Sequence, residues 1–113
     1  MVFWDNYRLV ELGTKVNLEE FISNKELKEK VKRGIRGLYE DVINEIERCI
    51  GKRDEEAIWD LAKSGKISPN NIQEFLDIIY MINNIDKIDD VILYGMLVRI
   101  MEDLEELYIN LKC

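Results

Sequence analysis

Hydrophobic residues along this chain recur three or four positions apart, which is the spacing of one face of an α-helix. No stretch keeps the two-residue alternation of a half-buried strand, and no Asn-Gly or Asp-Gly turn joins two such stretches. Residues that end helices divide the chain into about five helical segments, with breaks expected at Gly13, Gly51, Ser64-Gly65, Ser68-Pro69 and Asn83-Asn84. We therefore predict an all-α fold, an up-and-down bundle of four main helices plus one short helix.

Each predicted helix after the first begins at a residue whose side chain can accept a hydrogen bond from the first backbone N–H groups. The first helix is expected to be short, from about Trp4 to Leu12, and the last to reach about Leu111. Ser23 and Glu26 have the spacing of a capping box, which predicts the start of the longest helix. The other predicted caps are Asn17, Asp54, Ser68 and either Asp86 or Asp89.

The last helix is apolar around most of its circumference in its first half. A helix of that kind must be buried on more than one side, and a small domain has little material to cover it. We interpret the excess as the interface of a two-fold homodimer; the alternative is that this helix forms the centre of the bundle. The apolar seam consists of Ile88, Val91, Gly95, Val98, Met101, Leu104, Tyr108 and Leu111. The candidate interface residues are Ile78, Asn83, Tyr94 and Met101.

Composition narrows the class of function. The chain has 113 residues, of which 47% are hydrophobic, so residues 1–113 are expected to form a single domain with its own core. Its net charge of −7 argues against a general nucleic-acid binder, whose affinity comes from phosphate contacts. The absence of histidine excludes serine–histidine and cysteine–histidine catalysis and histidine metal sites. No catalytic, cofactor-binding or metal-binding residue is assigned, and no cofactor is expected.

The sequence gives no sign of a targeting or membrane segment. Its start lacks the basic region and long apolar stretch of a signal peptide, and no uncharged run approaches the roughly 20 residues of a membrane span. We expect a cytoplasmic protein with no membrane partner. Two cysteines alone cannot form a zinc site and do not resemble a secreted disulfide framework. Cys49 is interpreted as an inert packing thiol, and the role of Cys113 is left open.

A strip of basic residues interrupts the acidic background on the long helix. Its members recur at helical spacing and are called the basic strip below: Lys25, Lys28, Lys32 and Arg36. One interpretation is a solvated helix face whose charges pair with Glu29 and Glu40. The other is a docking strip for an acidic partner or for RNA phosphates, although the net charge does not favour RNA. Gly34 and Gly37, in the same helix, suit a close approach of another helix better than phosphate binding.

Four segments between residues 17 and 112 follow one another in a characteristic order. The first two are Asn17-Leu18-Glu19-Glu20-Phe21-Ile22-Ser23-Asn24 and Ala57-Ile58-Trp59-Asp60-Leu61-Ala62-Lys63-Ser64-Gly65-Lys66-Ile67-Ser68. The other two, where the match described next is clearest, are Lys87-Ile88-Asp89-Asp90-Val91-Ile92-Leu93-Tyr94 and Glu102-Asp103-Leu104-Glu105-Glu106. In these segments and their order, roughly residues 17–112 resemble the HepT-like branch of the HEPN superfamily, small helical-bundle proteins often encoded beside a minimal nucleotidyltransferase.

Active members of that family carry an arginine, commonly followed by asparagine, then a histidine and a tyrosine. The resemblance places these four at Ile78, Ile79, Asn83 and Ile85 of this chain. Isoleucine has no charge or donor to stabilise a phosphorane, and an asparagine amide is not a general base near neutral pH. The family's ribonuclease mechanism is therefore not expected.

The resemblance implies a catalytically degenerate protein that acts by binding, with a minimal nucleotidyltransferase in a toxin–antitoxin-type pair as its partner. Two alternatives stay open. One is an enzyme that cleaves RNA or binds nucleotides through a non-standard site, with residues such as Tyr80, Asn83 and Arg99. The other is a purely structural helical assembly protein with no connection to nucleotides.

Overall fold

The computed structural model describes residues 2–111, and all regular secondary structure in that range is helical. The all-α prediction is thus confirmed for this part of the chain. Five of its α-helices have ten or more residues, against four main helices expected. The helices are α1 (Val2–Thr14), α2 (Leu18–Ser23), α3 (Lys25–Ile50), α4 (Asp54–Lys63), α5 (Ile72–Asn83) and α6 (Asp90–Asn110), with 3-10 turns at Pro69–Asn71 and Ile85–Lys87.

The first helix is longer than predicted and does not stop at Gly13. It has 13 residues, and it packs along α3 and against α6. Gly13 lies inside α1, where an added Cβ would come within 2.7 Å of Leu97 Cδ1. The glycine therefore allows α1 and α6 to approach closely. The prediction that Gly13 ends the first helix is wrong.

Short-range capping signals predict several helix ends correctly. The Asn17 side chain accepts a hydrogen bond from the Glu20 backbone N–H at 2.8 Å, and Gly51 ends α3 with φ of 73°. Asp89, rather than Asp86, caps α6, because its carboxylate accepts from the Val91 backbone N–H at 2.8 Å.

Two predicted caps are wrong by one residue. The cap of α3 is Asn24, whose side chain accepts from the Leu27 backbone N–H at 3.0 Å, while Ser23 is the last residue of α2. Asp54 is the first residue of α4 rather than its cap. It adopts a left-handed φ of 52°, and its carboxylate accepts a hydrogen bond from the Tyr39 hydroxyl.

The core lies between α3, α6 and the shorter helices around them, and only part of the apolar seam that the sequence predicts on α6 belongs to it. Val91 and Val98, from the predicted seam, are exposed, and the space beside Gly95 is open. The side that packs inward consists of Leu93, Leu97, Ile100, Met101, Leu104 and Leu107. Because this helix is apolar nearly all round, its periodicity alone does not determine which side is buried.

Among the described residues, no helix combines the length and apolarity that crossing a membrane requires. Cys49 is not a free thiol, so the interpretation of this residue as an inert packing thiol is not retained. The question left open for Cys113 lies outside the described residues.

Candidate functional site

The four motif positions that the family resemblance assigns lie on α5 and in the turn after it. Ile78, Ile79 and Ile85 are 1%, 3% and 3% exposed, respectively. Their side chains belong to the hydrophobic core of the protomer. Asn83, the last residue of α5, is exposed. At these positions, the protomer therefore presents one amide to solvent and no cation or base.

Two of the four candidate interface residues lie in the core of the protomer, and a third is half-buried. Ile78 and Met101 are core residues. Tyr94 packs against the core, and its hydroxyl donates a 2.6 Å hydrogen bond to the backbone carbonyl of Val16, which ties α6 to the turn after α1. Asn83 alone is exposed. The homodimer stays a prediction.

Three members of the basic strip bind acidic side chains in the turn between α5 and α6 or at the first residue of α6. Lys28 Nζ lies 2.8 Å from Asp90 Oδ2, and Arg36 Nη2 lies 2.6 Å from Asp86 Oδ2. Lys32 Nζ is 3.9 Å from the same Asp86 carboxylate. These salt bridges therefore connect α3 to the 3-10 turn Ile85–Lys87 and to the start of α6. No signal in the sequence indicates these pairs, because the partners are some 50 residues or more apart.

The cations of α3 that stay open to a partner are Lys25 and, beside the strip, Arg33. Both are exposed, and neither forms a salt bridge within residues 2–111. The expected pairing with Glu40 does not occur either, because that carboxylate binds Arg53 Nη2 at 3.1 Å. The surface available for docking is thus smaller than the sequence suggests.

A cleft of about 400 Å³ lies where α3, the start of α4 and the end of α5 meet. Arg53 is held there by Glu40 and by Glu47, the latter at 2.8 Å. Burial, and then the hydrogen bond to Asp54, raises the pKa of Tyr39 well above its usual value, so this phenol stays protonated. The residues that line the cleft are Arg36, Tyr39, Glu40, Arg53, Asp54, Ile82 and Asn83.

The charges of this cleft balance, because its two guanidinium groups face two carboxylates. Its cations are also already bound to acidic side chains, so a phosphate would have to displace them. The cleft does not offer the concentrated positive field that RNA docking requires.

Asp103, a buried acid of α6, lies beside Glu74 of α5, whose side chain is 40% exposed. Asp103 is 8% exposed, and its Oδ2 atom has no hydrogen-bond partner in the described residues. Burial, then the hydrogen bond to Glu74 and its negative charge, raises the pKa of Asp103 to about 7, while Arg99 opposes the shift. The sequence analysis did not predict this pair. Acidic residues are common on both α5 and α6, and the sequence does not show which of them face each other across the two helices.

Arg99, the cation of the alternative enzyme interpretation, is not brought together with Asn83 in a single cleft. Arg99 lines a groove of about 190 Å³ with Glu74 and Asp77, whereas Asn83 lines the cleft beside α4. Among the described residues, no group of three or more acidic or cysteine side chains is placed to hold a metal ion.

The outward face of α6 carries an exposed apolar patch. Val91, Ile92 and Val98 are 51%, 54% and 55% exposed. A Cβ added to Gly95, which lies among them, would meet no atom within 4 Å. Together these four residues form the patch called the α6 face below.

No protein-family model, no curated protein and no solved structure matches this chain. The likeness to the HepT-like branch of the HEPN superfamily therefore depends on the sequence segments and their order.

Proposed function

We propose that this chain is a catalytically degenerate HepT-like HEPN protein that acts by binding other proteins, as a homodimer and with a minimal nucleotidyltransferase. The observation that carries the proposal is the burial of the motif positions. Ile78 and Ile85, where the resemblance expects an arginine and a tyrosine, are core residues with almost no exposed surface.

Cleavage of RNA needs a group that stabilises charge on the phosphorus and a group that moves a proton. An isoleucine side chain does neither, and the exposed Asn83 amide is not a base near neutral pH. The positions have instead become part of the packing that supports α5. This supports a helical bundle whose role is to bind other proteins through its surface.

The partner that the resemblance implies would contact a surface that is partly cationic and partly apolar. Lys25 and Arg33 are the open cations of α3, and the α6 face supplies exposed apolar area. An acidic patch on a nucleotidyltransferase would fit the cations, in keeping with the use of charge to select partners.

The experiment is affinity purification of the tagged chain from the cells that encode it. The expected result is that a nucleotidyltransferase co-purifies, that Lys25→Glu with Arg33→Glu removes it, and that Lys63→Glu with Lys66→Glu does not. The control pair changes charge equally at exposed lysines near the end of α4. Recovery of the chain without any nucleotidyltransferase would overturn the proposal in favour of a structural assembly protein.

A further inference from the structure

Four aromatic rings meet where the start of α1 packs against the end of α6. Phe3 and Tyr108 stack face to face, with their ring centroids 4.0 Å apart. The ring centroid of Trp4 lies 4.8 Å from that of Phe3 and 5.3 Å from that of Tyr7, in both cases in an edge-to-face arrangement. Phe3 is buried, whereas Trp4, Tyr7 and Tyr108 each keep part of the side chain exposed. The cluster therefore belongs to the surface as well as to the core.

The two helices run antiparallel along this contact. Phe3 stacks on Tyr108 at one end of it, and Gly13 approaches Leu97 at the other. Tyr7 lies one turn after Phe3 on α1. It is therefore placed beside the turn of α6 that precedes Tyr108.

Acidic side chains border Tyr7 from both helices. The Tyr7 hydroxyl donates a hydrogen bond to the carboxylate of Glu105, and the carboxylates of Glu11 and Glu102 add negative charge nearby. Burial first, and then these acidic neighbours, raise the pKa of Tyr7, so the phenol stays protonated. None of the three carboxylates forms a salt bridge within residues 2–111. Their negative charge is therefore available to a cation from outside the chain.

The end of α6 adds to this negative charge. The last carbonyl groups of a helix carry a partial negative charge, and the last turn of α6 contains no basic residue that would offset it. Arg8, one turn after Trp4 on α1, has a side chain that is 74% exposed and pairs with Asp5 at 3.7 Å. The surface thus combines aromatic rings with unpaired carboxylates, and both are complementary to a cation.

We propose that the surface formed by Trp4, Tyr7, Glu105 and Tyr108, called the arginine surface below, binds an arginine side chain of another protein. A guanidinium group is planar, so it can stack on an aromatic ring while it donates hydrogen bonds to a carboxylate. A quaternary ammonium group binds best within a cage of rings around an open space. Here the rings pack directly against one another, which favours stacking on their outer side. This inference stands apart from the proposed function, because it concerns a different surface.

The test is a titration of the isotopically labelled chain with a peptide that contains two arginines among glycines, followed by NMR. The chain has two tryptophans, Trp4 and Trp59, whose indole N–H signals are read separately. Trp59 is the internal control, because it is 48% exposed on α4 with Glu55 one turn before it. We expect the Trp4 signal to shift with a dissociation constant on the order of millimolar and the Trp59 signal to stay in place.

Two altered peptides separate charge from shape. Citrulline in place of arginine keeps the planar group and removes the charge, so the dissociation constant should rise by about fivefold or more. Lysine keeps the charge and lacks the planar group, so it should also bind more weakly than arginine, by about threefold. A citrulline or lysine peptide that binds as tightly as the arginine peptide would overturn the inference.

Matched variants test the carboxylate. Glu105→Gln keeps an oxygen that accepts from Tyr7 but loses the charge, and it should raise the dissociation constant of the arginine peptide by about fivefold. Glu55→Gln removes an exposed carboxylate beside Trp59 and should leave the constant unchanged. Equal shifts of the Trp4 and Trp59 signals, or unchanged affinity in Glu105→Gln, would overturn the arginine surface and leave the proposed function standing.

Discussion

At Gly34 the long helix α3 approaches Leu9 of α1 so closely that a Cβ atom added to Gly34 would lie 2.7 Å from the Leu9 Cβ atom. It would also lie 3.0 Å from the backbone oxygen of Asn6. One turn further along α3, a Cβ added to Gly37 would come within 2.5 Å of the Asn6 side-chain amide. The pair of glycines therefore serves the crossing of two helices, in agreement with the interpretation made from their spacing.

We expect Gly34→Ala to lower the free energy of unfolding by about 2 kcal/mol, because backbone and a Cβ atom must move apart. Gly37→Ala should cost only about 1 kcal/mol, since the Asn6 amide can swing away and lose its hydrogen bond to Asp41. Gly95→Ala is the control: with open space around it, alanine should stabilise the helix by up to about 1 kcal/mol. Urea denaturation of dilute protein measures all three, and equal effects at Gly34 and Gly95 would contradict the crossing geometry.

The hydrogen bond from Tyr94 to the Val16 carbonyl gives a second prediction. Tyr94→Phe should lower the free energy of unfolding by about 1 kcal/mol, because a half-buried carbonyl loses its partner. Tyr80→Phe is matched in chemistry, but that side chain is 67% exposed on α5, so we expect no measurable change. Similar melting temperatures for the two variants would show that the Tyr94 hydroxyl does not hold the α1–α2 turn.

The buried Asp103 should make stability depend on pH. Its pKa is about 7 in the folded chain, whereas the ordinary pKa of an aspartic acid is 3.8, so folding favours the protonated form. The contribution is fully present below about pH 4 and is lost as the pH rises toward 7. Asp103→Asn should therefore be about 2 kcal/mol more stable than the wild type at pH 8 and about equally stable at pH 4.

The control for this pH effect is Glu102→Gln, which removes an exposed carboxylate one residue away and should keep the wild-type pH profile. Thermal denaturation from pH 4 to pH 8 gives the comparison. If Asp103→Asn follows the same profile as the wild type, then Asp103 is not the titrating group.

The salt bridges of the basic strip predict a local effect. Asp86→Asn releases both Arg36 and Lys32, so backbone amides of the 3-10 turn Ile85–Lys87 should exchange hydrogen faster. Global stability should fall by less than about 1 kcal/mol, since these pairs are partly exposed. Asp77→Asn, an exposed acid on α5 that forms no salt bridge within the described residues, should leave the exchange of this turn unchanged.

Capping residues and left-handed glycines predicted many of the helix ends, because each determines the end of a helix through backbone groups only a few residues away. Asn17, Gly51 and Asp89 follow that rule. At Asp54 the rule failed, since the residue sits at φ of 52° and its carboxylate binds Tyr39, 15 residues earlier. That contact is between two different helices, so it cannot be predicted from the pattern of capping residues.

The surface of the candidate site was harder to predict than the fold. On α6 almost every position of the first half is apolar, so the sequence does not fix which residues face inward, and Tyr94 and Met101 were assigned outward. The basic strip looked free because Asp86 and Asp90, which neutralise it, are distant in the chain. Residue type alone showed that the motif positions Ile78 and Ile85 carry no charge or donor, but the burial of Ile78 was not predicted, because that residue was assigned to the dimer interface.

The most direct test of the account is incubation of the purified chain with labelled RNA, alongside Arg99→Ala and a mock purification. With Ile78 and Ile85 buried in the core, we predict that the RNA stays intact in all three samples. Cleavage by the wild-type chain that is lost in Arg99→Ala and absent from the mock purification would contradict a non-catalytic binding role.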